Sequence, residues 1–457
     1  MKRSFPSSLA LVAAVAVVLS VVPVPVAALN PPKTMAATRA LGAVNGASAP
    51  VDPAFAVDHL GVSWESGSPP SVRFRAADGA WGPWIRVHED EIPTTAGRTW
   101  STLVPAGDAD AYQVRGSNAA VRAVAINTTD GPRAVKWSEP WAEASHLAQP
   151  AVVSRAGWGA DESLRCKADG TPKSSWSFYP TKKLIVHHTV TANADPDPAA
   201  TVRAIYQYHV QSRGFIDIAY NFLVDANGII YKGRYSGPNG TCHQDTLTGE
   251  NANGRGVTGA HTGGWNSGTM GIAVLGNYEQ VPLSEATRAA LVEHLAWESE
   301  RHLLDPMATS TFTNPAGGAS KLAPNISGHR DWSATACPGQ NLYAALPLIR
   351  QEVAARTGAI VAADTTPPRI SRIRTLSVGR RRATIRWRTS EPATAQARYW
   401  VTGQKRRLTQ PTSSFERPHE VVLRGLRPDA EYRFVVISRD AAGNAAKARP
   451  KRLRTDG

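Results

Sequence analysis

Twelve residues, Gly328 to Gly339 (GHRDWSATACPG), constrain this 457-residue chain more than any other stretch. His329 and Cys337 stand eight positions apart in a turn-rich segment. Such a segment can aim an imidazole and a thiolate at one point, a borderline-soft pair suited to zinc. A third ligand has to come from elsewhere. Upstream, the apolar run Leu184-Ile185-Val186 ends in His187-His188-Thr189. Side chains alternate faces along a strand, so at most one of two adjacent histidines readily faces a shared ion. Two imidazoles and one thiolate fill three tetrahedral positions and leave the fourth for water, which marks a catalytic rather than a closed structural site. Zn2+ is therefore the expected cofactor.

The N-terminus sets the compartment. Lys2 and Arg3 precede an apolar stretch from Leu9 to Val22, then Pro23, Pro25 and small residues ending at Ala28. That order describes a secretory signal peptide over 1–28, too short and too proline-broken for a membrane anchor. The expected product is exported, associated with the cell wall, and without a membrane span after cleavage. Three cysteines are an odd number for an exported chain. With Cys337 assigned to the metal, Cys166 and Cys242 remain as the pair that an oxidising compartment would bond; two buried free thiols are the alternative. The net charge of +14 suits a polyanionic surface, such as a wall carrying anionic polymers. Nucleic acid is not the expected partner, because no basic helix, finger spacing or aromatic RNA-binding motif accompanies the charge.

Taken in order, 29–50 reads as a flexible lead-in rich in Ala, Pro and Thr. Over 51–137, short period-two runs such as Val72-Arg73-Phe74-Arg75 alternate with turns such as Asp78-Gly79, which predicts a β-sandwich. Trp81 and Trp84, flanking Gly82-Pro83, are either core or a sugar-stacking platform. A linker over about 138–150 leads to a central α/β domain, 150–357, with a mixed sheet flanked by helices. A helix is predicted over 196–213 with Asp195 or Asp197 at its start, a hairpin around Asp225-Ala226-Asn227-Gly228, and a helix capped by Ser284. A last helix over 342–355 contains Pro347, which should bend or break it. The segment 365–457 has about seven short β runs, with Trp387 early and Tyr432 in a corner position, and resembles a fibronectin type III module.

The central domain resembles the peptidoglycan recognition protein family, whose catalytic members are zinc N-acetylmuramoyl-L-alanine amidases of the type 2 class. The resemblance rests on SRAGWGA (154–160), LIVHHT (184–189), DIAYNFLVDANGIIYKGR (217–234), GAHTGGWN (259–266), MGIAVLGNY (270–278) and GHRD…TACPG, all in order. It implies His187, His329 and Cys337 as ligands, and His188 as a wall of the substrate groove. It implies hydrolysis of the amide between the lactyl group of N-acetylmuramic acid and L-alanine in peptidoglycan. Tyr220 matches the tyrosine that assists the developing oxyanion. Thr335 matches a position where a hydroxyl contacts substrate or water, or caps a turn. Thr189, His209, Arg213, His261 and Asn266 match groove-lining positions, with Arg213 suited to a stem-peptide carboxylate. Asp331 is either an acceptor for a ligand imidazole or a turn former.

Two departures stand out. Ala219 replaces the usual glycine before the tyrosine, and a Gly/Asn/Thr-rich insert over 236–258 lies between groove motifs, where it is expected to reshape the entrance. A purely recognising relative would have a replaced ligand, and a zinc-stapled adhesion protein would need a fourth protein ligand. The sequence displays neither.

Overall fold

The structure, a computed structural model, describes residues 34–90, 97–129, 137–138, 147–363, 365–401, 403–409, 411–412, 416–440 and 443–457. The expected signal peptide lies outside them. None of the described helices is long and apolar enough to cross a membrane.

A seven-stranded mixed sheet organises the centre. Its strands run in the order Ile326–Gly328, Lys183–His188, Thr269–Val274, Phe222–Val224, Ile230–Lys232, Val152–Val153 and Trp137–Ser138. The first four are mutually parallel, and Phe222–Val224 turns back on Ile230–Lys232 as a hairpin. Its turn closes at Gly228, where φ is 81° and a side chain would collide with the Ala286 carbonyl.

Period two along these strands sorts their side chains between two helical layers. Leu184, Val186, Phe222, Val224, Ile272 and Val274 pack with Leu291, Leu295, Leu346 and Ile349 from helices Glu285–His302 and Gln340–Ala363. On the other face, Leu223, Ala273 and Leu275 pack with Val202 and Tyr206 of helix Pro198–Gln207. The helix starts follow from local chemistry: the Ser284 hydroxyl accepts from Thr287 N at 3.0 Å and the Asp197 carboxylate from Ala200 N at 3.1 Å. The expectation of a break at Pro347 is corrected, because Gln340–Ala363 is one helix of 24 residues with the proline inside it. Leu342, Leu346, Ile349 and Val353 are all fully buried on its inner face, and that packing outweighs one lost backbone bond.

The N-terminal strands are hydrogen-bonded into one eight-stranded sheet. Its centre is Ala111–Asn127, paired with Met35–Ala47, Val57–Trp64 and Ser71–Arg75. The lead-in reading of 29–50 is thus corrected over most of its length: Met35–Ala47 is a 13-residue strand, whose small side chains hid a backbone pairing that needs no apolar pattern. One face of the sheet has its own core around Leu60, Val62, Val72 and Val114. From the other face Trp100, Leu103, Val124 and Ile126 join the core of helix Pro198–Gln207. The contact is tight, since a methyl on Gly61 would overlap the Tyr208 ring, whose hydroxyl donates to Ser101 O at 2.8 Å. Trp81 and Trp84 are neither core nor bare: the Arg73 guanidinium lies 4.8 and 4.7 Å from their ring centroids, and Arg115 covers Trp84 at 4.6 Å.

At the C-terminal end a three-stranded sheet (Ile370–Val378, Arg382–Ala393, Glu416–Arg424) and a five-stranded sheet share one core. Ile385, Trp387, Tyr399, Leu423, Tyr432 and Phe434 fill it. Tyr432 Oη accepts from Arg427 N at 2.9 Å and ties down the crossing loop.

Candidate metal centre

Register alone brings the two histidines together. Val186 and Gly328 are Cα partners in adjacent parallel strands, and His187 and His329 are the next residue in each. Both therefore emerge at the carboxyl ends of neighbouring strands, where open α/β sheets place their ligands. The ring centroids are 4.6 Å apart. Cys337 returns to the same point through the turn after His329, which is held by the bond from Arg330 N to Cys337 O at 2.9 Å. Its Sγ lies 3.7 Å from His187 Nδ1 and accepts from His188 N at 3.4 Å. One donor atom from each of His187, His329 and Cys337 falls within 4.8 Å of the others. Among the described residues no other His/Cys/Asp/Glu trio does so.

The electrostatics suit a cation-binding trio. Burial, reinforced by His329 and His261, pushes His187 well below the ordinary imidazole pKa, and burial holds His329 at about 4. Both rings are neutral at pH 7, with a lone pair each to donate. Among the described residues no carboxylate touches them, so the thiolate would be the one negative ligand. Donor number, donor type and convergence all fit zinc with an open fourth position.

His261 is placed elsewhere than expected. It does not line a groove: it is fully buried behind His187, with its Nδ1 3.0 Å from His187 Nε2 and 2.9 Å from Thr262 Oγ1. With Nε2 engaged there, His187 is left Nδ1 for the trio, which is what an outer partner of a ligand imidazole does. Gly271 makes room for it, since a methyl there would overlap the His261 ring. The sequence held a signal for this, a glycine inside the otherwise apolar run Met270 to Leu275.

Tyr220 sits over the trio, its ring centroid 5.4 Å from that of His187 and 5.8 Å from that of His209. His209 is buried and its Nδ1 accepts from Ala219 N at 3.1 Å, so it fixes the backbone beside Tyr220. His188 points to the opposite face from His187 and accepts from Tyr278 N through Nδ1 at 3.2 Å.

Several polar residues are committed to the scaffold. Thr335 Oγ1 accepts from Cys337 N at 2.8 Å, the turn-capping alternative. Asp331 gives its two oxygens to Gly328 N (2.8 Å) and Tyr343 Oη (2.6 Å), not to an imidazole. Thr189 Oγ1 accepts from Gly276 N at 3.1 Å, and Asn266 Oδ1 from Thr262 N at 2.8 Å. Arg213 is the clearest correction: its side chain is fully buried and ion-paired with Asp90 of the N-terminal sheet, so its charge does not face the trio's opening. A buried arginine takes the nearest carboxylate, and sequence spacing could not show that a separate sheet supplies one.

The insert over 236–258 is tied to the rest of the central domain at several points. A disulfide joins Cys242 to Cys166 (S–S 2.17 Å, Cα–Cα 6.3 Å), Val257 pairs with Phe178, and Glu250 reaches Arg301 and His302.

The central part of the chain is similar to known proteins. The sequence profile of the N-acetylmuramoyl-L-alanine amidase family (Amidase_2) matches residues 177–340. Over 200 residues the chain is 32% identical to peptidoglycan recognition protein 1 of Bos indicus, covering 42% of this chain and 80% of that one. It is 29% identical over 195 residues to peptidoglycan-recognition protein SC2 of Drosophila simulans, covering 42% and 82%. Wild-type Drosophila PGRP-LB aligns at 25% identity and a TM-score of 0.30, over 42% of this chain and 90% of that structure.

Proposed function

This chain belongs to the peptidoglycan recognition protein family, and we propose that it is a secreted, zinc-dependent N-acetylmuramoyl-L-alanine amidase. On this reading it cleaves the amide between the lactyl group of N-acetylmuramic acid and L-alanine in peptidoglycan. The observation that carries the proposal is the convergence of His187, His329 and Cys337 at the ends of two parallel strands, with one donor atom from each inside 4.8 Å. Flanking β modules, the C-terminal one of fibronectin type III type, complete the exported protein.

His187, His329 and Cys337 would hold a zinc ion, which when bound would supply Lewis acidity toward the scissile carbonyl and water. The chain's own residues do the rest. Burial keeps the two imidazoles unprotonated and ready to bind. The His188 amide donates to Cys337 Sγ at 3.4 Å and stabilises its thiolate. His261 fixes the tilt of His187. Because a thiolate ligand damps the Lewis acidity, a hydrogen-bond donor for the developing oxyanion is required, and Tyr220 takes that role.

The test uses the mature chain rather than the isolated central domain, because the N-terminal sheet contributes Trp100, Leu103 and Ile126 to the central core. Zinc-loaded protein is incubated with defined muropeptides, and mass spectrometry follows the products. The expected product is a free stem peptide beginning at L-alanine, lost on chelation and restored by zinc; parallel diaminopimelate and lysine stems read specificity. Intact muropeptide held tightly in the presence of zinc would instead make the protein a recognition module.

A further inference from the structure

The chain's net positive charge comes from one end. Residues 365–457 hold 22 of the 51 Lys and Arg and 7 of the 37 Asp and Glu, a net of +15, which leaves −1 for everything before them. Nineteen of the 22 are arginine.

The structure arranges part of this charge on one face. In strand Arg382–Ala393, Ala383, Ile385 and Trp387 point into the core, so Arg382, Arg386 and Arg388 point outward. Across the strands Arg386 faces Arg374, and Arg382 faces Arg424. Residues directly opposite share a face, so five arginines stand on the outside of the three-stranded sheet, and Glu420 is the acid opposite Arg386. Like charges placed directly opposite destabilise a sheet. Among the described residues Arg374, Arg382, Arg386 and Arg424 form no ion pair that would relieve this.

At its far end the face meets the central domain. Arg388 donates to Ala252 O. Beside that contact a cavity of about 240 Å³ is lined by Arg386, His419 and Glu420 from the module and by Arg255 from the central domain's insert.

We infer that this arginine face is a docking surface for a phosphodiester-linked anionic wall polymer, running from the C-terminal module to the Arg255–Arg386 cavity. Planar guanidinium groups grip phosphate oxygens in pairs and keep their charge at any wall pH. Repulsion between the facing arginines falls when a polyanion lies across them. No exposed aromatic side chain stands among the five arginines, so the stacking platform that single-stranded nucleic acid uses is missing from the described face. The choice of a wall polymer rests on the amidase reading; the surface itself does not.

The test compares the full mature chain with an Arg374→Gln/Arg382→Gln/Arg424→Gln variant. Binding to poly(glycerol phosphate) is measured across a salt series with a chelator present, so the result is independent of hydrolysis. The variant should bind at least about 10-fold more weakly. Its slope of log affinity against log salt should fall by roughly two, at ~0.7 per lost contact on a flexible polyanion. Cleavage of small soluble muropeptides should be unchanged, while cleavage of intact walls should drop only when those walls carry the phosphate polymer. The single Arg382→Gln variant reads the same slope, with a fall of about 0.7, should the triple variant fold poorly. Equal polymer binding by variant and wild type overturns the proposal. So does tighter binding of single-stranded DNA, or of the carboxylate polymer polygalacturonate, at matched charge.

Discussion

Two buried histidine clusters lie in the same domain, and burial alone does not decide what each can do. In the first, His187 and His329 meet Cys337 with His261 behind them and, among the described residues, no carboxylate in contact, and burial drives all three imidazoles below their ordinary pKa. In the second, helix Glu285–His302 sets Glu298 and His302 opposite Glu250 of the insert, while His294, 3.8 Å from Glu298, is lowered by burial to about 3 and takes no part in the tie. There His302 Nε2 lies 3.0 Å from Glu250 Oε1 and 3.1 Å from Glu298 Oε2. Burial would lower His302, yet Glu250 and Glu298 more than reverse it and hold the ring at about 9. Burial would raise Glu250, yet Arg301 and His302 bring it to about 2. A neutral buried histidine offers a lone pair and so can be a ligand; a charged one offers only protons and so is a tie. Two carboxylates at about 3 Å overcome burial at His302, where His187 stays a neutral donor and His294, 3.8 Å from a single acid, does too.

The largest expected effect removes the one negative ligand. Cys337→Ala should lose stoichiometric zinc and lower muropeptide hydrolysis by well over 10²-fold, since outer partners alone are worth ~10–100-fold. Its metal-free melting temperature should match that of metal-free wild type. Metal content by atomic emission, run beside calorimetry, checks both halves, and retained zinc at full stoichiometry would remove Cys337 from the ligand set.

Next comes the staple. Glu250→Gln leaves Arg301 and His302 without their main acid and should destabilise the fold by about 3–5 kcal/mol, measured by denaturant unfolding. Activity per folded molecule should stay within about twofold, if the second cluster is a tie and nothing more. A loss of zinc affinity in this variant would break the distinction between the clusters.

How much of this was legible in the sequence depends on the length scale of each determinant. The trio was readable because its elements are local: an apolar strand ending at His187, and a turn motif spanning His329 to Cys337. The Ser284 cap and the Asp225–Gly228 turn were readable for the same reason. What escaped was set by long-range packing. Arg213 finds Asp90 across 123 positions, and His261 turns inward because Gly271, on a neighbouring strand, has no side chain. The strand Met35–Ala47 was missed because pairing through backbone leaves little side-chain pattern. Glu250 was passed over inside an insert whose composition reads as loop.

A smaller effect probes the inner partner of the first cluster. His261→Ala removes the group bonded to His187 Nε2, and Gly271→Ala displaces the same ring by crowding. Each should weaken zinc affinity by ~10–100-fold in a competition titration with a chromophoric chelator. His261→Asn, which keeps a polar side chain beside His187, should recover part of the loss. Unchanged affinity in both Ala variants would reduce His261 to packing.

The smallest effect sharpens the second cluster through pH. The His302 pKa is raised from 6.5 to about 9 on folding, so its contribution to stability is complete below about 6.5 and fades as pH climbs through 9. The Glu250 pKa is lowered from 4.5 to about 2, so its contribution is complete above about 4.5 and fades as pH falls through 2. Glu298, raised mainly by burial, favours its protonated form in the fold, so its contribution is complete below about 4.5 and fades as pH rises above that. Glu250 and His302 together place their greatest support between about 4.5 and 6.5, with Glu298 weighting it toward the acid edge. The stability gap between wild type and Glu250→Gln, measured by urea unfolding at a series of pH values, should therefore be widest in that window and narrow toward pH 9. A gap independent of pH would mean that Glu250 holds the insert by shape and hydrogen bonding alone. The contrast between the two clusters would then rest on the absence of carboxylates around His187 rather than on any charge carried by His302.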